Sequence, residues 1–217
     1  MPRRLEREWA SLRLKDRIAP GLRVLFVGIN PGVRSAQTGH HFAGPSNRFW
    51  KLLAESRLVP EPITYEHDDR LPEFGFGITN LIARPSPGID VLKPAEYIEG
   101  WKVLERKIGK YRPAVIAIVG ITAYRAILPL IVASEGRPRR ASRPAPVLGP
   151  QPHDVHGARV FVLPNPSGRN ANYSYAEMLA AFKALAAGVK PGSDRGQTGV
   201  RPVRNRRLGR DRENTQK

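Results

Sequence analysis

The chain contains no cysteine among its 217 residues. Disulfides, thiolate zinc sites and cysteine nucleophiles are therefore excluded, and a reducing compartment fits this composition. No segment reaches the run of about eighteen apolar residues that a membrane span needs. The first twenty residues carry scattered charges instead of the apolar centre of a signal peptide. We accordingly expect a cytoplasmic protein that makes no use of a membrane.

Acidic residues are also scarce, because 19 Asp and Glu stand against 36 Lys and Arg, for a net charge of +17. The excess is concentrated in residues 1–20, 136–144 and 188–217, where basic side chains outnumber acidic ones by three, four and six. Such segments suit a polyanion, since each contact with a phosphate releases counterions. They equally suit solvated tails that aid solubility, and charge alone does not separate the two interpretations.

The length and the hydrophobic content of 41% predict one domain with extensions. We place a basic N-terminal extension at residues 1–20 and the domain at 21–187. Within the domain, residues 135–152 are rich in Pro and Arg and predict a flexible basic loop. The Gly-, Arg- and Pro-rich segment 188–217 predicts a disordered basic tail.

Hydrophobic periodicity predicts strands that alternate with helices along the domain. The predicted strands are 23–29, 77–82, 114–119 and 159–163, and the predicted helices are 47–57, 94–110, 121–134 and 174–187. Pro94 suits a first helical position, and Ser174 with Glu177 forms a capping box. This alternation predicts an α/β fold with three α/β/α layers and a mostly parallel central sheet of about four strands.

Two predicted strands end in an Asn-Pro turn, the first at Asn30-Pro31 and the last at Asn165-Pro166. Proline fixes φ and biases the preceding residue away from the helical region, so both Asn side chains follow a stiff backbone. Either motif alone is an ordinary turn signal. Ligands of such sheets bind at the carboxyl ends of the strands, so two such turns at one edge favour a shared site.

Four short motifs follow one another along the domain. They are GINPG (28–32), GHHFAGPSNRFWKLL (39–53), GITNLIARPS (77–86) and VLPNPSG (162–168). Together they resemble the mismatch-specific uracil-DNA glycosylase and thymine-DNA glycosylase family over residues 21–187. The resemblance implies hydrolysis of the N-glycosidic bond of uracil, thymine or a related damaged pyrimidine in G·U or G·T mispairs, which initiates base excision repair. It implies a monofunctional monomer without a cofactor, whose partner is double-stranded DNA. The richness in Arg, Ala, Gly and Pro is typical of a GC-rich bacterial genome, which would place the protein at the nucleoid.

The resemblance gives Asn30 the catalytic position, beside the sugar of a flipped nucleotide, where its amide orients the attacking water. A neutral amide cannot remove a proton at neutral pH. Catalysis would then depend on stabilising the departing base anion and the oxocarbenium-like sugar, so we expect slow turnover. Strong uracil-removing enzymes of the wider superfamily carry a carboxylate at this position.

The same resemblance assigns base contacts to residues of three motifs. Backbone amides near Ile29 and Phe42 would read the edge of the base, and the ring of Phe42 would stack on it. Gly32 stands where strict uracil enzymes have a bulky Tyr, so its pocket would admit C5-substituted bases. Asn165 completes the predicted substrate contacts. Without the resemblance, Phe42 would be interpreted as a core aromatic that anchors its loop.

A wedge that fills the gap left by the flipped nucleotide is implied for the loop after the last strand. Its predicted residues are Ser167, Gly168, Arg169 and Asn170, where one bacterial form of the family has Leu-Ser-Arg after the glycine. Asn47 and Arg48 would meet phosphate at a helix start, or would only cap that helix.

His40 and His41 are interpreted as loop residues, because no carboxylate or cysteine stands at metal-ligand spacing, and no metal is predicted.

Two other functional classes were weighed. A small nucleotide-binding α/β enzyme is disfavoured, because no strand leads into a glycine-rich phosphate loop and Pro31 removes an amide that such a loop would use. A non-catalytic nucleic-acid-binding protein on the same fold remains open. It would tolerate loss of the Asn30 amide, whereas the enzyme would not.

Overall fold

A computed structural model describes residues 8–135 and 147–189. Its centre is a five-stranded sheet of β1 (Val24–Gly28), β2 (Phe76–Asn80), β3 (Val115–Val119), β4 (Gly149–Val155) and β5 (Ala158–Leu163). The strand order is β2-β1-β3-β5-β4. β2, β1, β3 and β5 run parallel, and β4 pairs antiparallel with β5.

Within the described residues, five α-helices surround the sheet: α1 (Val33–Thr38), α2 (Phe49–Glu55), α3 (Pro94–Tyr111), α4 (Ile121–Ser134) and α5 (Tyr175–Gly188). Two 3-10 segments, Tyr65–Phe74 and Ile89–Val91, belong to the connections. None of the helices in the described residues is long and apolar enough to cross a membrane.

The alternating side chains of the buried strands divide the core into two layers. Phe26 of β1 packs on one face with Phe49 of α2 and Phe182 of α5. Its neighbour Leu25 packs on the other face, in a cluster that includes Trp101 of α3 and Ile127 of α4. The predicted three-layer α/β/α architecture with a mostly parallel sheet is thus confirmed.

The four predicted strands correspond to β1, β2, β3 and β5, and the four predicted helices to α2, α3, α4 and α5. Pro94 opens α3, and the Ser174 and Glu177 side chains form the predicted capping box of α5.

The prediction of a loop over 135–152 is wrong at residues 149–152. These residues belong to β4, the strand of the sheet that the sequence analysis did not predict. That strand has two prolines and no continuous apolar run, and a bulge interrupts its pairing between Pro150 and Asp154. Proline is tolerated on an edge strand because the missing amide faces away from the neighbour. Periodicity therefore gave no signal for this element. Residues 136–146 of the predicted loop lie outside the described residues.

The end of the predicted N-terminal extension packs on the domain. Arg17 exchanges two backbone hydrogen bonds of 2.9 Å with Ile78 of β2, and its guanidinium forms an ion pair with Asp68. Asp16 accepts a hydrogen bond from Thr79 and forms an ion pair with Lys107. Residues 15–17, which we call the N-terminal strap, therefore lie along the outer edge of β2. Residues 1–7 and 190–217 of the predicted extension and tail lie outside the described residues.

Candidate active site

A cleft of about 540 Å³ opens at the carboxyl ends of the parallel strands. It lies where the chain order reverses, since β1 has β2 on one side and β3 on the other. Ligands of open α/β sheets bind at such a switch point. The predicted site residues that line it are Ile29, Asn30, Gly32, Phe42, Asn47, Asn165, Ser167, Arg169 and Asn170. The predicted residues Arg48 and Gly168 do not line it.

The carboxamide of Asn30 is held in one orientation. Its Nδ2 donates to the Ser86 hydroxyl at 2.7 Å, to the Arg84 carbonyl at 3.1 Å and to the Pro31 carbonyl at 3.2 Å. Two of these partners are carbonyls, which only accept, so the nitrogen and not the oxygen must face them. The carboxamide oxygen is thereby left for the cleft, where it can accept a hydrogen bond from a water or a ligand.

Arg84, whose carbonyl supports Asn30, is itself anchored by Glu96 near the start of α3. Its Nε and Nη2 donate to the two Glu96 carboxylate oxygens at 2.8 and 2.9 Å. These bonds, together with one from the Lys93 amide, lower the pKa of Glu96 to about 2. The pair is therefore ionised throughout the ordinary pH range and fixes the connection that carries Arg84 and Ser86.

Phe42 presents one ring face to the protein and lines the cleft. The covered face stacks on Phe49 of α2 at a centroid distance of 4.1 Å and an angle of 15°. Its backbone has φ +53°, which non-glycine residues seldom adopt and which marks a tightly determined loop. The ring therefore anchors the loop on the core and also forms a wall of the cleft, while its stacking on a base stays a prediction.

Asn80 is a site residue that the sequence interpretation did not single out. It ends β2, lines the cleft, and lies half-buried beside Gly28. A Cβ on Gly28 would come within 2.6 Å of the Asn80 carboxamide oxygen, so glycine at position 28 leaves the space which that oxygen occupies. The predicted strand 77–82 placed Asn80 in its interior, so the search after each strand that selected Asn30 passed over it; β2 in fact ends at Asn80, opposite Gly28 of β1.

The loop after β5 is tightly folded. Asn165 accepts from the Ser167 amide at 3.0 Å in an Asx turn, and Asn170 donates to the Asn165 carbonyl at 2.7 Å. Gly168 packs against Ser46, since a Cβ there would lie 2.9 Å from the Ser46 carbonyl. The Arg48 amide donates to the Pro166 carbonyl at 2.9 Å. The predicted wedge loop and the segment before α2 are therefore joined.

Asn47 and Arg48 differ in where they point. The Asn47 oxygen accepts from the Phe49 amide at 2.9 Å, which caps the start of α2, while the residue also lines the cleft. The Arg48 guanidinium lies near the Met178 sulfur, 3.9 Å away, and packs toward α5. Capping is thus observed for Asn47, and the described geometry directs Arg48 away from the cleft.

The rim of the cleft carries charge and open space. Arg34, Asp90 and Arg169 contribute charged side chains to its lining, and Arg169 reaches the Pro87 carbonyl at 3.4 Å. Gly32 is exposed, and a Cβ added to it would meet nothing within 4 Å. The rim beside Gly32 is therefore free of steric obstruction.

His41 belongs to the lining of the cleft but is only 1% exposed, whereas His40 beside it is half-buried and does not line the cleft. Within the described residues, no group of three or more His, Cys, Asp or Glu is arranged to hold a metal ion. Among the described residues that line the cleft, none is a lysine.

The comparison with protein families agrees with this geometry. The model of the uracil DNA glycosylase superfamily matches residues 16–186, and the chain belongs to that superfamily. Its members are DNA N-glycosylases, and the assignment covers the strands, the cleft and most of the N-terminal strap.

A solution NMR structure from Methanosarcina acetivorans, provisionally named a uracil DNA glycosylase, shares the fold at a TM-score of 0.50 and 18% identity. The match covers 80% of this chain and 97% of that one.

Proposed function

We propose that this protein is a monofunctional glycosylase that removes uracil, thymine or related damaged pyrimidines from mispairs with guanine in duplex DNA. The observation that carries the proposal is the Asn30 carboxamide, whose nitrogen is bound to Ser86, Arg84 and Pro31 while its oxygen is left for the cleft. An oriented acceptor of this kind suits a water that must approach C1′ of a flipped nucleotide.

The remaining cleft groups suit a pyrimidine ring. The exposed part of Phe42 offers a stacking surface, backed by Phe49. Asn80 offers a carboxamide, which both donates and accepts, opposite a base edge with the same capacity. The volume of about 540 Å³ falls within the range of small-ligand pockets.

The reaction would be a hydrolysis. As the bond between C1′ and the base nitrogen breaks, the base leaves with the bonding electrons and the sugar gains positive charge. The water held by Asn30 then adds to C1′ and releases its proton to solvent or to the base. Asn30 cannot take that proton, so the rate depends on stabilising the separated charges. The lack of a lysine among the described lining residues supports water as the nucleophile, as a monofunctional enzyme requires.

Two further features support action on mispairs. The joined loops that carry Ser167, Gly168, Arg169 and Asn170 suit a wedge, because a rigid loop can occupy the gap left in the duplex. The open space at Gly32 suits a C5 substituent such as the methyl group of thymine.

The proposal is tested with purified protein and duplexes that carry U, T, hypoxanthine or ethenocytosine opposite G. We expect alkali-sensitive sites at U, and expect Asn30→Ala to reduce single-turnover release by roughly 10²-fold or more while DNA affinity is retained. Gln37→Ala is the matched control, since it removes an exposed carboxamide from α1 outside the cleft. If Asn30→Ala released the base as fast as the wild type, the role assigned to Asn30 would be wrong. If the wild type bound DNA without releasing any base, a non-catalytic binding protein would be favoured.

A further inference from the structure

A second cavity, of about 490 Å³, opens at the amino ends of the parallel strands, whereas the cleft opens at their carboxyl ends. Arg23, which directly precedes β1, lines this second cavity, together with residues at the ends of α2 and α5. The five residues of β1 rise about 3.3 Å each, so roughly 15 Å of strand separates the two openings. A base held in the cleft therefore does not reach the second cavity, whose volume by itself suits a small ligand.

Three basic side chains line the second cavity: Arg23, Arg57 and Lys183. None of them forms an ion pair with another residue of the described part of the chain. Arg23 donates one hydrogen bond to the Phe74 carbonyl at 2.6 Å and lies over the Phe76 ring, 4.6 Å from its centroid. The exposed side chains of Arg57 and Lys183 form no hydrogen bond with any described residue. Their charges are therefore available to a ligand.

Glu55 is the single carboxylate among the described residues that line the second cavity. It accepts a hydrogen bond from the Tyr175 hydroxyl at 2.9 Å and lies 3.8 Å from the Lys51 ammonium. The sequence that continues beyond the cavity, residues 188–217, has more basic than acidic side chains and so adds charge of the same sign. The described lining thus keeps an excess of two positive charges, which a ligand from outside the chain would neutralise.

The carbonyl groups at the ends of α2 and α5 are the alternative use for these cations, because basic side chains often cap helix C-termini. Both helix ends already have other partners. The Leu53 carbonyl of α2 accepts from the Ser56 hydroxyl at 3.0 Å, and the Gly188 carbonyl of α5 accepts from Arg159 at 3.3 Å. Capping therefore does not account for Arg57 and Lys183.

The rest of the lining is aliphatic and includes Leu58, Ala187 and Val189. Leu58 and Val189 are only 5% and 8% exposed, so this wall belongs to the packed core and is fixed in place. Arginine presents paired N–H groups that match the oxygens of a phosphate. A phosphate monoester carries nearly two negative charges at neutral pH, which matches the excess charge of the lining better than one carboxylate does.

We propose that the second cavity is a binding site for a phosphate-bearing ligand of nucleotide size, with Arg57 and Lys183 at the phosphate and the aliphatic wall against the uncharged part. The phosphate belongs either to a free nucleotide or to the 5′ end of a DNA strand, which offer the same chemistry. This site does not depend on the proposed function, because it shares no residue with the cleft.

The test titrates inorganic pyrophosphate into the full-length protein, labelled for NMR, at about 0.15 M salt, where distant charges are screened. The amide signals of Leu58, Ala187 and Val189 report on the second cavity, and those of Asn30 and Arg169 report on the cleft. We expect the cavity signals to shift and to saturate. Short oligothymidylates with and without a 5′-phosphate form a second arm, in which a shift that requires the 5′-phosphate assigns the site to strand ends, and a shift with pyrophosphate alone assigns it to free nucleotides.

The variants Arg57→Gln and Lys183→Gln each remove one charge at an exposed position, so both should fold normally. We expect each to weaken pyrophosphate binding by about 5-fold and the double variant by about 25-fold, since each loses about one hydrogen bond to a charged group. Arg125→Gln is the matched control, because it removes an exposed arginine from α4, which packs on the other face of the sheet. Its affinity for pyrophosphate should equal that of the wild type.

Three results would overturn the proposal. The cavity signals stay unchanged with both pyrophosphate and the 5′-phosphorylated strand, or Arg125→Gln weakens binding as much as Arg57→Gln, which indicates diffuse attraction by the net charge. The third is a citrate affinity equal to that of pyrophosphate, which would favour an acidic peptide as the occupant. Because pyrophosphate binding is measured without a duplex, failure of the proposed glycosylase activity would leave this result unaffected.

Discussion

Ser86 supports Asn30 through one hydrogen bond, so removing its hydroxyl should weaken base release by a limited amount. Ser86 is 2% exposed, and its hydroxyl accepts from Asn30 at 2.7 Å while donating to the Gly88 carbonyl. In Ser86→Ala, the Asn30 nitrogen keeps its contacts with the Arg84 and Pro31 carbonyls. The carboxamide therefore keeps its orientation but is held less firmly.

The expected loss follows from one hydrogen bond, whose net value is about 0.5 to 1.5 kcal/mol. This range corresponds to a reduction of roughly 2- to 12-fold in the rate of base release. The loss in Asn30→Ala should be far larger, at roughly 10²-fold or more. Because Ser86 acts through Asn30, adding Ser86→Ala to Asn30→Ala should cost nothing further.

The assay is single-turnover release of uracil from a G·U duplex with enzyme in excess, measured for the wild type, both single variants and the double variant. Ser134→Ala is the matched control, since its hydroxyl also donates to a backbone carbonyl, on α4 and away from the cleft. If the two losses multiply in the double variant, Ser86 acts independently of Asn30, and the support of the proposed catalytic amide by Ser86 is wrong.

Three further predictions concern other parts of the site. Gly32→Tyr should fold normally, since a Cβ at this exposed position meets nothing within 4 Å, and should narrow the range of released bases toward plain uracil; undiminished release of C5-substituted bases would contradict this. Glu96→Gln should lower the free energy of unfolding by about 1 kcal/mol at pH 7, a value discounted for the partly exposed ion pair. The pKa of Glu96 is lowered to about 2 in the folded protein, so the stabilisation by the ion pair is complete above the unfolded pKa near 4.5 and is lost as the pH falls toward 2. In urea unfolding, the difference in free energy of unfolding between wild type and Glu96→Gln should therefore be smaller at pH 3.5 than at pH 7. An equal difference at both pH values would exclude the ion pair as its cause. Gly168→Ala should impair base release and duplex binding together, because its Cβ would strike the Ser46 carbonyl and separate the two loops; anisotropy binding and kinetics equal to those of the wild type would show that the loops act separately.

The central strands could be predicted because each is a short apolar run buried on both faces. Val24–Gly28 and Val115–Val119 are buried at every position, which is typical of interior parallel strands. Gly149–Val155 has the opposite character, since its two exposed prolines and exposed Asp154 suit an edge. The edge strand therefore leaves little trace in the hydrophobic pattern, whereas the interior strands dominate it.

The candidate site likewise contains some residues that the sequence could predict and others that it could not. Asn30 and Asn165 were predictable because a stiff Asn-Pro turn follows a buried strand. Two of the three partners that orient Asn30 come from residues 84–86, more than fifty positions along the chain, and only the folded sheet brings them together. His41 lies in a loop, as predicted, but its burial beneath the N-terminal strap depends on the pairing of Arg17 with Ile78, which no local pattern reports.

The contact between Gly168 and Ser46, with the hydrogen bond from Arg48 to Pro166, has a consequence for how a duplex would be deformed. If the loop after β5 is the proposed wedge, two loops joined in this way would keep a constant spacing, and the DNA would have to bend to fit them. Weakly stacked or mispaired steps bend at the least energetic cost, so under the proposed function a stiff pair of loops would favour damaged sites over sound ones before any bond is broken.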